Sequence, residues 1–132
     1  MSIKKVSVAV IDSCKTDLEV FQRAFLELQK DVRVGLDLLR SDGFEHRQST
    51  IDEGIVMVIV CFRREDPVAV MSLVKVVNTF YPRNIPVYVY SKSSLREVFG
   101  ERLPPGLAGW LHGHFSCDAL QVYLKLLVGD FV

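Results

Sequence analysis

The sequence predicts an α/β fold in which helices cover both faces of a parallel sheet, and three observations lead there. Short runs rich in Val and Ile alternate with longer segments whose apolar residues recur every three or four positions. The middle run, Ile55 to Cys61, is apolar at every position, as the central strand of a doubly covered sheet requires. The β-α alternation occurs five times in 132 residues, a length suited to one domain with a real core. Such an order implies right-handed crossovers and functional loops at the carboxyl ends of the strands.

The elements follow in order. Val6-Ser7-Val8-Ala9-Val10-Ile11 is a buried strand that opens into Asp12-Ser13. From Asp17 the period changes, and Leu18, Phe21, Phe25 and Leu28 line one side of an amphipathic helix with Thr16 as its expected cap. Val32 to Leu36 alternates as a second strand that Gly35 weakens. Arg40 to Glu53 is polar and holds either a short helix or a loop. After the central strand, Asp66-Pro67 resembles a cap followed by proline at the first helical position. The helix from Val68 to Phe80 is expected to present Met71, Val74 and Val77 together, with Pro82 stopping it. Ile85 to Tyr90 reads as the fourth strand, Ser93 or Ser94 as the cap of a short helix through Phe99, and Leu107 to Leu111 as the fifth strand. Ser116 caps a last helix lined by Leu120, Leu124 and Leu127.

Composition bounds the function. Hydrophobic residues make up 49% of the chain, which is enough for an independent core. Sixteen basic residues balance sixteen acidic ones, so no overall field favours nucleic acid, an anionic membrane or a polyanionic substrate. Three cysteines lack metal-finger spacing, and no secretory signal or membrane-length apolar run is visible. A reduced, cytoplasmic protein is the expectation, with 1–132 as a single domain.

Three stretches carry a family resemblance: Val8-Ala9-Val10-Ile11-Asp12, Ile85-Pro86-Val87-Tyr88-Val89-Tyr90-Ser91, and Gly106-Leu107-Ala108-Gly109-Trp110-Leu111. Together with the order of elements, the chain resembles a bacterial response-regulator receiver domain of two-component signal transduction. The resemblance implies a flavodoxin-like three-layer α/β/α sandwich with a five-stranded parallel sheet in the order 2-1-3-4-5. Receiver chemistry needs an acidic pair for a divalent metal, an aspartate as phosphoacceptor, a hydroxyl and a lysine. Asp12 and Ser91 match their roles. Ser13 replaces the second metal acid, Cys61 or Val60 stands at the acceptor, and Gly113 falls at the lysine, with His114 after it. No carboxylate occurs between Ile55 and Phe62, so no small shift of alignment restores an acceptor.

The implied protein is a pseudo-receiver: a non-enzymatic, phosphorylation-independent signalling module that binds another protein or itself, alone or as the N-terminal domain of a longer regulator. Its vestigial phosphorylation pocket comprises Asp12, Ser13, Cys61, Ser91 and Gly113. The interaction face that the resemblance implies lies on helix four, strand five and helix five of that family, where Leu95, Phe99, Trp110 and Tyr123 fall. No cofactor, metal, membrane or direct nucleic-acid contact is expected. The alternative is a small cytosolic thiol- or metal-dependent enzyme using Cys61 with His112 and His114, since these segments and Cys14 approach the carboxyl edge of the sheet. Against it, Cys61 ends an apolar run where cysteine behaves as a small hydrophobe. Asp12, without its family partners, is open to a purely structural role as acceptor for loop amides.

Overall fold

The computed structural model describes residues 6–41, 54–63, 67–92, 105–112 and 117–129. Five strands form one sheet: β1 (Val6–Ile11), β2 (Val34–Leu39), β3 (Ile55–Cys61), β4 (Val87–Ser91) and β5 (Leu107–His112). All pairings are parallel and the spatial order is β2-β1-β3-β4-β5. The helices are α1 (Lys15–Leu28), α2 (Ala69–Phe80) and α3 (Cys117–Val128), with a 3-10 turn at Tyr81–Arg83 after α2.

Alternation along the central strands sorts the core into two layers. Val8, Val10, Met57, Ile59 and Cys61 face α1 and α3, where Phe21, Phe25, Leu28, Leu120 and Leu124 meet them. Ala9, Ile11, Val58, Val60 and Val89 face α2 and pack on Leu73, Val76, Val77 and Phe80. Each face of β1 and β3 is thereby closed, and their length of unbroken apolar sequence is explained. On the α1 side the rings of Phe21 and Tyr90 meet edge to face, their centroids 4.9 Å apart.

Several local expectations shift. The first helix begins at Lys15 with Cys14 as its cap residue and no side-chain capping bond; Thr16 instead lies one residue inside the helix, its Oγ1 3.1 Å from Cys14 Sγ. The second strand runs from Val34 to Leu39, later than Val32 to Leu36, because pairing with Val6–Ile11 carries it through Gly35 and as far as Leu39. The fourth strand starts at Val87, leaving Pro86 just before it, where its carbonyl still accepts the amide of Val58. Asp66 and the proposed caps Ser93, Ser94 and Ser116 lie outside the described residues.

The main correction concerns α2. Met71 and Val74 are exposed, at 69% and 41%, while Val77 is buried with Leu73, Val76 and Phe80. The helix is apolar on nearly every side, so spacing alone did not select the face that meets the sheet. At the start of β5, Gly106 has φ +96°, and a Cβ there would stand 2.7 Å from Val77 Cγ1, so glycine is required where the chain turns in beside α2.

The corrected face is testable by urea unfolding. Leu73→Ala is expected to cost about 2–5 kcal/mol as a core truncation, whereas Met71→Ala should fall within about 0.5 kcal/mol of the parent as a surface change. Equal losses would place the α2 stripe in the core after all.

Candidate functional site

The carboxyl ends of β1, β2 and β3 converge on one cavity, with the start of α1 and the first turns of α2 as its walls. The cavity has a volume of about 330 Å³, and Asp12, Ser13, Arg40, Ser41, Arg63 and Ser72 are among the residues lining it. Each polar side chain sits here because it directly follows an apolar strand or, for Ser72, lies on the helix covering that strand.

Asp12 is the carboxylate at this edge, and two donors of Ser41 hold it. Its backbone is left-handed, with φ 59°, a conformation that Asp and Asn tolerate better than other residues with a Cβ. Its amide continues the β1–β2 pairing by donating to Leu39 O at 3.1 Å. Its carboxylate takes the amide of Ser41 on Oδ1 at 3.0 Å and the Ser41 hydroxyl on Oδ2. Ser41 is 4% exposed. The side chain of Asp12 thus clasps the end of β2 to the end of β1, the structural role that loop-amide acceptance describes.

Arg63, two residues past β3, reaches Asp17 in the first turn of α1, with Nη2 3.4 Å from Oδ2. Asp17 is buried, and its charge is compensated by this guanidinium. Partial burial works against the Arg63 charge, but the adjacent Cys14 and Asp17 outweigh it and hold the guanidinium above its ordinary range. Neither the Arg63–Asp17 pair nor Arg40 stood out in the sequence, because a lone arginine after a strand carries no motif.

Cys61 and Ser91, also assigned to the phosphorylation pocket, are not among the described residues lining the cavity. Cys61 is 6% exposed and belongs to the core layer under α1 and α3. Burial, followed by the nearby Asp17 carboxylate, pushes its thiol well above the usual range, the opposite of what an attacking thiolate needs. Ser91 closes β4 and is buried. Gly113 and His114 lie outside the described residues, and His112 is placed only as the last residue of β5. Among the described residues, no three His, Cys, Asp or Glu side chains form a metal-binding group.

At the β5 edge, Trp110 is half-buried and packs on the α2 side of the sheet, whereas Tyr123 of α3 is half-buried against the opposite core layer. The two aromatics flank the edge strand from either side. Leu95 and Phe99 lie outside the described residues.

No protein-family model matches the sequence, and no curated protein does. Solved structures do match in shape. A protein from Burkholderia pseudomallei, described as pilus assembly-related, superposes with a TM-score of 0.69 at 11% identity over 98% of this chain and 95% of its own. A response regulator receiver domain of Clostridium thermocellum gives 0.63 at 14%, covering 96% of both chains. A 3-dehydroquinate dehydratase-like protein of Bifidobacterium longum gives 0.61 at 14%, over 98% of this chain and 99% of that one. Further receiver domains and response regulators share the arrangement. At these identities the likeness establishes a receiver-like, flavodoxin-like fold, which the dehydratase-like protein shares.

Two expectations follow from the site. Asp12→Ala is expected to lower stability by about 2 kcal/mol, since it removes a charged acceptor and leaves alanine at a left-handed position. Asp12→Asn, which keeps one acceptor oxygen and tolerates that backbone, should cost only about 1 kcal/mol. Denaturant titration of both variants checks the ranking, and equal losses would deny the clasp.

The second expectation is alkaline. Burial raises the Cys61 thiol, and burial together with Asp17 raises the Tyr90 hydroxyl to about 12. Below about pH 7.5 folded and unfolded chains both hold these protons, so stability is unaffected. Above it the unfolded chain releases protons that the folded chain retains, and stability should fall as pH rises toward 12. Melting temperatures of the parent and Cys61→Ala between pH 8 and 11 test this: the variant should lose less on the rise.

Proposed function

We propose that this chain is a phosphorylation-independent regulatory module that acts by protein-protein contact on a receiver-type scaffold. The observation that carries the reading is the state of the carboxyl edge. Where acyl phosphate chemistry needs a free aspartate at the end of the third strand, β3 ends in a buried thiol and continues into Phe62 and Arg63. The acidic residue at the end of β1 already accepts two hydrogen bonds from Ser41. A divalent metal there would have to displace those donors beside two arginines, with no second carboxylate among the described residues lining the cavity.

The fold shared with receiver domains supports a signalling role, and the proposed contact surface is the β5 edge. Trp110 and Tyr123 are its described members, Leu95 and Phe99 are assigned to it on the sequence resemblance alone, and the partner is another protein or a second copy. The module is proposed as one domain over 1–132, cytoplasmic and non-enzymatic. No helix among the described residues is long and apolar enough to cross a membrane.

Two measurements test the proposal. Incubation with acetyl phosphate and Mg²⁺ should leave the intact mass unchanged, and an acid-labile adduct of phosphate mass would overturn phosphorylation independence. Trp110→Ala should keep the fold, at some cost in stability because half the ring is packed, while weakening self-association or partner capture by about thirtyfold, the roughly 2 kcal/mol of a hot-spot aromatic. A folded variant that associates like the parent removes Trp110 from the contact surface.

A further inference from the structure

We propose that the carboxyl-edge cavity is a reversible binding site for a phosphate-type oxyanion, held by Arg40 and Arg63 without a metal and without covalent attachment. The inference rests on a count of donors against acceptors. The carboxylate of Asp12 is already occupied by the amide and hydroxyl of Ser41. Donors, by contrast, are in surplus. Arg63 meets Asp17 at 3.4 Å, longer than the 2.7–2.9 Å of a strong charge-assisted bond, and also contacts the Cys14 thiol, yet its side chain remains 37% exposed with further N–H donors on the guanidinium. Arg40 is exposed, and among the described residues neither its guanidinium nor the hydroxyls of Ser13 and Ser72 form a hydrogen bond.

These groups come from four separate elements around one cavity: the end of β1, the end of β2, the end of β3, and α2. Donors arriving from several sides suit a tetrahedral oxyanion with three or four acceptor oxygens better than a planar one. Among the described lining residues Asp12 and Arg63 already have partners, in Ser41 and Asp17, which leaves the Arg40 guanidinium as the charge open to an anion. At about 330 Å³ the cavity exceeds a bare phosphate ion and enters the range of small-molecule sites. Val68 adds an apolar wall on which a small organic substituent can rest.

Titration calorimetry and thermal unfolding with inorganic phosphate and with phenyl phosphate, at ionic strength matched by chloride, test the site. Saturable binding and a rise in melting temperature are expected with phosphate beyond chloride. Arg40→Gln should weaken that binding about tenfold or more, as loss of a charge-assisted contact does. Arg63→Gln should weaken it too, but it also strips Asp17 of its partner and should lower the melting temperature. Arg40→Gln, whose parent side chain is exposed and makes no bond within the described residues, therefore carries the test in folded protein. Tighter binding of phenyl phosphate than of phosphate assigns the site to an organic phosphate, and equal binding assigns it to free phosphate. The proposal is overturned if phosphate acts no differently from chloride, or if Arg40→Gln binds as the parent does. Reversible binding with unchanged protein mass is a separate readout from the phosphodonor experiment, so either result stands without the other.

Discussion

Burial of β1 and β3 on both faces is the constraint from which the rest of the structure follows. A strand whose alternate side chains face two helical layers has no flank on which to carry polar chemistry, since each unpaired polar group there would lose its water. From Val8 to Ile11 and from Met57 to Phe62 every residue is buried and every side chain is apolar. Polar function is pushed to the strand ends, and with parallel strands all the carboxyl ends share one edge. The cavity sits where that rule puts it.

The described pairings at that edge differ from an acidic metal cluster. An acidic cluster repels itself and is relieved by a divalent cation. Here the acids are separated and each is given its own donor: Asp12 takes Ser41 and Asp17 takes Arg63. Both pairings join distant parts of the chain, the first locking β1 to the segment after β2 and the second locking α1 to the segment after β3. Stability that a metal site would lack in its empty state is built into the resting protein, and among the described lining residues the charge without an acid partner is that of Arg40. Cys61, meanwhile, fills volume beneath α1 and α3 as a small apolar side chain.

The surface tells a parallel story on α2 and α3. Val70, Met71 and Val74 of α2, with Tyr81 just beyond it, and Val122 and Leu126 of α3 remain exposed although the helices bury a full opposite face. Helices this apolar are held by the sheet rather than by amphipathic contrast, which is why the inner face of α2 was the hardest feature to read in advance.

The sequence by itself determined the alternation of elements, the bounds of β1 and β3, the parallel sheet, the inward face of α1 and the absence of a carboxylate from β3. These are local properties: period, β-branched runs and the absence of a carboxylate from one strand are visible without neighbours. Only the tertiary structure decided that Asp12 binds Ser41, 29 residues away, that Arg63 pairs with Asp17, 46 residues away, and that Met71 and Val74 face outward. Such choices depend on which loops the strand order brings together and on which side of an apolar helix finds the sheet, and no periodicity in the chain encodes either. Arg40 and Arg63 became a pair in one cavity for the same reason: β2 and β3 flank β1, and their ends meet around Asp12.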